Sequence, residues 1–260
     1  MLLDHFERPW KGYRKVRKGV KKRISRHMQE IGTRNMAAYL DRVEADPSVQ
    51  EECLRRMTVS ISRFFREKQL WKVLRDGVLP ELAGRGIETL RVWSAGCAGG
   101  EEPYSFRIIW EEVTKRLDRV PALDLLATDT NPENLDRARK GVYTRGSLKE
   151  AEPSTIAVYF DEKKPGKTYR IKPELKEGIT WKIHDLLDDP PDRRFHILFL
   201  RNHLLTYYEG KVRSEAFHRI TSRLVESGYL IIGSHEKPPS ATDAFTRLTA
   251  SPHIYRKRTG

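Results

Sequence analysis

The chain has 260 residues, 38% hydrophobic and 33% charged, with a formal net charge of +13. That length and apolar content suit one medium globular domain plus a small one. No run approaches the roughly 20 apolar residues of a membrane span, and "MLLDHFERPWKGYRK" has no apolar stretch like that of a signal peptide. Cys53 and Cys97 lie far apart and match no metal or redox spacing, so no metal site and a reduced, cytoplasmic setting are expected.

Residues 11–26, "KGYRKVRKGVKKRISR", carry nine Lys/Arg and no acid, which concentrates most of the positive charge in one N-terminal patch. Val16, Val20, Ile24, Met28 and Ile31 recur every three or four residues, so this run predicts an amphipathic helix. Helices around "NMAAYLDRV" and "PSVQEECLRRM" follow, parted by Asp46-Pro47. With "TVSISRFFRE" they form a small helical unit, and "QLWKVLRDGVLPEL" reads as a connecting helix.

From residue 90 the pattern changes. "LRVWSAG", "LDLLAT", "ITWKIH", "FHILFL" and "GYLIIG" are short apolar runs of buried-strand type. The helical stretches "EEPYSFRIIWEEVTKRL", "NPENLDRARKGV" and "KVRSEAFHRITSRLVES" separate several of them. Alternating β and α predicts an α/β fold with a parallel sheet covered on both faces. Residues 142–178 interrupt the rhythm as a small insertion with "YRIKPEL" as a strand, and "FTRLTASPHIYRKR" predicts a terminal antiparallel hairpin.

The chemistry concentrates in "SAGCAGGEE". Gly96, Gly99 and Gly100 lie between a strand and a helix, where backbone can approach a ligand closely. Asp129 ends the next strand, in "LLATDTN", where a carboxylate can accept hydrogen bonds from both hydroxyls of a ribose. The loop lacks the Lys-Ser/Thr ending of a phosphate-binding P-loop. Glu101 and Glu102 place two carboxylates at a helix N-terminus, cancelling the positive end of its dipole. Such a site disfavours a pyrophosphate and suits a cationic ligand with an amino group and a sulfonium.

"TVSISRFFRE", "LRVWSAGCAGGEEPYS", "LLATDTNPENLDRARKGVY", "YRIKPEL", "HDLLDD", "FLRN" and "LIIGSHE" occur in this order. The series resembles the chemoreceptor glutamate methyltransferases of CheR type, from about residue 12 to residue 257. The resemblance implies a Rossmann-like class I methyltransferase domain at 67–260, carrying the small β insertion, behind an all-helical domain at 1–66. It implies S-adenosyl-L-methionine as cofactor and S-adenosyl-L-homocysteine as product.

Carried over by position, the resemblance puts Glu102 near the methionine part of the cofactor and Asp129 on its ribose. Asp185 and Leu186 fall near the adenine, and Arg201 and Asn202 match an Arg-Asn pair ending the fourth strand. Ser60, Ser62 and Arg66 match a segment reaching over the cofactor, and Gly96 belongs to the glycine loop. Two departures stand out. "RNHLLTYY" has Thr206 where the family has a tyrosine near the transferred methyl, with Tyr207 and Tyr208 just after it, and "GSHE" replaces the usual Gly-His-Ser-Glu while keeping Gly233 and Glu236.

The catalytic expectations are therefore Arg66, to orient an incoming carboxylate bidentately, and Tyr207, in place of the missing tyrosine. The implied partner is the acidic cytoplasmic coiled coil of a chemoreceptor, met by the basic helix, with the enzyme a monomer. A methyltransferase of the same fold acting on RNA is the main alternative, which the positive patch supports. Only Trp10 and Tyr13 interleave with that patch, and "DDPPD" at 188–192 precedes the fourth strand and reads as a turn. A cofactor-binding homologue without turnover is the second alternative, kept open by Thr206. The histidines His184, His203, His218 and His235 form no ligand spacing and read as surface or core residues.

Overall fold

The structure is a computed structural model that describes residues 1–6, 8–14, 16–58, 62–239 and 244–260. Ser60, one of the expected cofactor contacts, lies outside the described residues.

The helical unit comprises α1 (Leu2–His5), α2 (Trp10–Tyr13), α3 (Arg17–Glu30), α4 (Met36–Ala45) and α5 (Pro47–Met57). Asn35 caps α4 by accepting from the Ala38 amide at 2.9 Å, and Asp46 caps α5 through the Ser48 amide at 2.9 Å, with Pro47 opening the helix. Tyr13, Val20, Ile24, Tyr39, Val43, Val49, Cys53 and Met57 form its buried core. The predicted basic helix is thus α2 and α3 in succession, with Val20 and Ile24 turned inward and Lys18, Lys21, Lys22 and Arg26 outward.

The connecting helix is α6 (Lys68–Val73), a π-helical turn at Leu74–Val78, and α7 (Leu79–Gly84). The Leu79 amide bonds back five residues to the Leu74 carbonyl. Pro80 explains the wide turn, because a proline inside a helix lacks an amide hydrogen and crowds the preceding turn.

The main sheet contains β1 (Thr89–Ala95) and β2 (Ala122–Asp129). An insertion follows with β3 (Val142–Thr144), β4 (Phe160–Lys164) and β5 (Thr168–Ile171). The main sheet resumes with β6 (Ile179–Ile183), β7 (Phe195–Leu200), β8 (Leu224–Ile232), β9 (Phe245–Arg247) and β10 (Ile254–Lys257). Its order is β6-β2-β1-β7-β8-β10-β9, parallel through β8, with β10 antiparallel to β8 and to β9. The terminal hairpin is therefore the expected one. α8 (Glu101–Thr114), α9 (Pro132–Lys140), α11 (Leu204–Tyr207) and α12 (Gly210–Ser222) flank the sheet, and α10 (Pro153–Tyr159) belongs to the insertion.

Alternate residues of each strand feed opposite layers. Val92 and Ile197 pack with α6, α7 and α8, whereas Trp93 and Leu198 pack with α12. The sequence predicts one strand in the insertion. The structure has a three-stranded antiparallel sheet, β3-β5-β4, with a 3-10 turn at Pro173–Lys176 where "KPEL" is expected as strand. Its aromatic core includes Phe64, Tyr104, Tyr143 and Phe160.

The linker from α5 is stitched to the main domain well before α6. The Phe64 amide donates to the Ser147 carbonyl and the Phe65 amide to Ser105 Oγ, each at 2.9 Å. The helical unit also leans on α11. The Tyr13 and Tyr207 rings lie 5.1 Å apart between centroids, and the Arg8 guanidinium sits 3.7 Å above the Tyr208 ring.

Candidate active site

The chain crosses over in opposite directions on leaving β1 and β7, which are neighbours in the sheet. A crevice opens at their carboxyl ends, where open α/β sheets bind ligands. The cavity there is lined from β1 by the loop 96–98 and Glu102, from β2 by Asp129, from β7 by Arg201, Asn202 and His203, and from above by Thr58, Ser62, Arg63 and Arg66.

The glycine loop divides its labour. Gly96 sits at φ +85, and a Cβ there would lie 3.4 Å from His203, so this residue keeps the loop close to the cavity wall. Gly100, at φ +87, opens α8, and a Cβ on it would lie 2.7 Å from the Ala138 Cβ. It lets α8 pack against α9 rather than serving the ligand.

The two glutamates also part. Glu101 is fully buried and ion-paired to Arg137 of α9; burial pushes its carboxyl above the ordinary range while Arg137 pulls it down. Glu102 alone faces the cavity. Its Oε1 accepts from Ser94 Oγ at 2.7 Å and its Oε2 from Arg201 Nη1 at 2.8 Å. The expected pair of carboxylates facing the ligand is thus a single one, because helical geometry turns adjacent side chains about 100° apart.

Arg201 is buried, and both of its terminal nitrogens are engaged. Besides Glu102 it pairs with Glu67 at 3.2 Å and donates to the Arg66 carbonyl at 3.1 Å. It therefore anchors both the α8 N-terminus and the strained turn above, where Phe65 (φ 53) and Glu67 (φ 69) are left-handed. Arg66 is the opposite case. Its carbonyl accepts from Trp71 Nε1 and Arg201, yet its guanidinium, at the cavity, makes no hydrogen bond or ion pair among the described residues.

Asp129 is buried and built into the loop, accepting from the Ala98 and Asn131 amides and from Asn134 Nδ2. Asn202 lines the cavity at φ 56. Its amide donates to Glu236 Oε2 at 2.8 Å, and the same carboxylate accepts from Gly233 N at 2.7 Å and Thr206 Oγ1 at 2.6 Å. Thr206 thus props a buried glutamate and does not face the cavity.

Tyr207 does not line the cavity either. It is half-buried against Tyr13, and burial pushes its hydroxyl up to about 12 while the nearby Arg66 charge pulls it down. Asp185 Oδ1 accepts from the Leu187 amide at 2.8 Å, and Leu186 is buried among Trp93, Ala95 and the β7 leucines. Neither lines the cavity. His203, expected as an ordinary core or surface histidine, does line it. Its only sequence signal is its place directly after the Arg-Asn pair. Among the described residues, no group of His, Cys, Asp and Glu could hold a metal.

The sheet order, the crevice loop and the carboxylate at the start of α8 define a Rossmann-like methyltransferase of class I. Residues 60–254 match the family model described as "CheR methyltransferase, SAM binding domain". The chain is 34% identical over 199 residues to the "Chemotaxis protein methyltransferase" of Listeria innocua, covering 76% of this chain and 73% of that one. It is 30% identical over 246 residues to "Chemotaxis protein methyltransferase 1" of Pseudomonas aeruginosa, covering 92% and 89%. A 29% match over 239 residues to an "Uncharacterized 104.1 kDa protein in hypE 3'region" of Rhodobacter capsulatus covers 91% of this chain but only 25% of that protein. The chain belongs to the CheR methyltransferase family, whose cofactor is S-adenosylmethionine.

The cavity fits that cofactor. Glu102 offers a carboxylate to a cationic ligand, Gly96 leaves backbone open, and His203 Nδ1 is buried without a partner among the described residues.

Proposed function

We propose that this enzyme methylates glutamate side chains in the cytoplasmic coiled coil of a chemoreceptor. The observation that carries this reading is Arg66: a guanidinium at the cavity with no partner among the described residues, beside an Arg201 already ion-paired to Glu67 and Glu102. Such a group binds an incoming carboxylate bidentately. The two relatives named chemotaxis methyltransferases support the same setting.

The bound sulfonium supplies a methyl that needs no further activation. A glutamate side chain, which ordinarily titrates at about 4.3, is ionised at neutral pH and needs no general base. The protein's task is alignment within about 3–3.5 Å and exclusion of water. In this reading Glu102, held by Ser94 and Arg201, faces the cationic end of the cofactor. Asp129 holds the ribose, and the Asp185–Leu186 turn borders the adenine. Gly96, Ser62 and Asn202 complete the wall, and Ser60 belongs to the same segment as Ser62. Arg66 orients the acceptor, and Tyr207, a neutral hydroxyl at pH 7, lies near enough to feel the Arg66 charge.

The helical unit, 1–66, serves as the acceptor dock on the cofactor domain, 67–260. Lys18, Lys21, Lys22 and Arg26 on α3 are exposed and make no ion pair among the described residues. Such a face raises encounter rates with an acidic coiled coil. The reaction then takes place in the cytoplasm, and one copy of the chain suffices.

Methyl-labelled S-adenosylmethionine and a purified receptor cytoplasmic fragment test this directly. Base-labile label on glutamates, as methyl esters give, is the expected result. Base-stable label, or label transferred to added RNA, would overturn the acceptor assignment. Cofactor uptake with no transfer to either would favour a homologue without turnover.

A further inference from the structure

We propose that His203 is a second ribose-binding residue, its imidazole pairing with the cofactor hydroxyl that Asp129 has no oxygen left to accept. The inference rests on S-adenosylmethionine occupying the crevice. A carboxylate has about two lone-pair sites on each oxygen. In Asp129, Oδ1 already accepts twice, from Asn131 N at 2.9 Å and Asn134 Nδ2 at 3.0 Å. Oδ2 accepts once, from Ala98 N at 2.9 Å. A bidentate grip on two neighbouring hydroxyls needs an opening on each oxygen, and only Oδ2 has one.

His203 stands across the same loop. Its ring lines the cavity that Asp129 lines, about 3.4 Å from where a Gly96 Cβ would project. The Gly96 and Cys97 amides in turn bond to the carbonyl of Thr128, next to Asp129, at 2.9 and 2.8 Å. His203 Nδ1 is buried with no partner among the described residues, an arrangement that costs free energy until a ligand supplies one. Burial lowers the pKa of the ring, against the pull of Asp129 and Asp185, so it stays neutral and keeps one nitrogen that accepts and one that donates.

Calorimetric titration with S-adenosylhomocysteine and its 2′-deoxy and 3′-deoxy analogues tests this on wild type, His203→Val and His203→Asn. Losing one hydrogen bond corresponds to about 3- to 10-fold in affinity. His203→Val is expected to weaken S-adenosylhomocysteine by that factor and to leave one deoxy analogue bound as tightly as wild type binds it. His203→Asn, whose side-chain oxygen takes the place of Nδ1, is expected to recover most of the loss. Unchanged binding by His203→Val, or an equal loss for all three ligands, would overturn the proposal while the cofactor site stands. If His203→Val does not fold, His203→Leu is read in the same way. Wild type that fails to bind S-adenosylhomocysteine at all would remove the cofactor reading as well.

Discussion

The floor and the roof of the crevice are built on opposite terms. On the floor, Arg201 is ion-paired to Glu102 and Glu67, and Asp129 is held by the Ala98 and Asn131 amides and Asn134, before any ligand arrives. On the roof, Arg66 has no such partner among the described residues, while its neighbour Arg63 pairs with Glu150 at 3.2 Å. A pre-bonded floor holds its geometry without reorganising, which suits a cofactor used at every turnover. The unpaired Arg66 leaves its charge available to whatever docks, which suits a macromolecular acceptor.

Removing the hub of the floor should have the largest effect. Arg201→Ala leaves Glu102 and Glu67 partly buried and unpaired, so a loss of about 3–5 kcal/mol is expected in urea unfolding, together with loss of cofactor binding. Arg66→Ala should break the roof alone. We expect about 100-fold slower methyl transfer, the cost of a misplaced reactant, with an unchanged unfolding midpoint and an unchanged Kd for S-adenosylhomocysteine. Near-wild-type turnover would remove Arg66 from the acceptor site.

Reversing Lys18, Lys21 and Lys22 to glutamate should lower kcat/KM for a receptor fragment about 10-fold at low salt, and the gap should close as salt screens the charges. A gap that survives about 0.5 M salt would mean contact chemistry rather than steering.

The sequence made the sheet, the glycine loop, the acidic pair at the start of α8 and Asp129 legible, because each rests on local spacing: apolar runs of strand length, then small residues, then acids at a helix start. What it left hidden depends on contacts across the chain. Glu101 turns inward to meet Arg137, 36 residues on. Arg201 is taken by Glu102, 99 residues away, which no local pattern encodes. The insertion's other two strands, β3 and β4, escaped because β3 has only three residues and β4 follows its buried Phe160 with four exposed polar residues. The departure at Thr206 reads in sequence as a lost catalytic group, and only the packing reveals that it supports Glu236.

That support yields a smaller prediction. Thr206→Val removes one of three donors from a buried carboxylate and should cost about 1–3 kcal/mol in unfolding free energy, with transfer rates within a few-fold of wild type. A collapse of kcat at unchanged stability would instead put Thr206 in the reaction.

The smallest effect concerns His27, which bonds Tyr39 Oη at 2.8 Å in the helical core and whose pKa is lowered by burial. A histidine with a lowered folded pKa takes up its proton first in the unfolded chain. Stability is therefore lost as pH falls below the unfolded value of about 6.5. Comparing unfolding free energies at pH 7.5 and 5.5, wild type should lose more than His27→Gln. Equal losses would assign the acid sensitivity to His196 and His203, half-buried histidines whose pKa values burial also lowers.

Equilibrium dialysis against methyl-labelled S-adenosylmethionine tests the crevice itself. One saturable site per chain is predicted, displaced by S-adenosylhomocysteine and weakened in Glu102→Gln. Absence of saturable uptake by the folded protein, or uptake indifferent to Glu102, would contradict it.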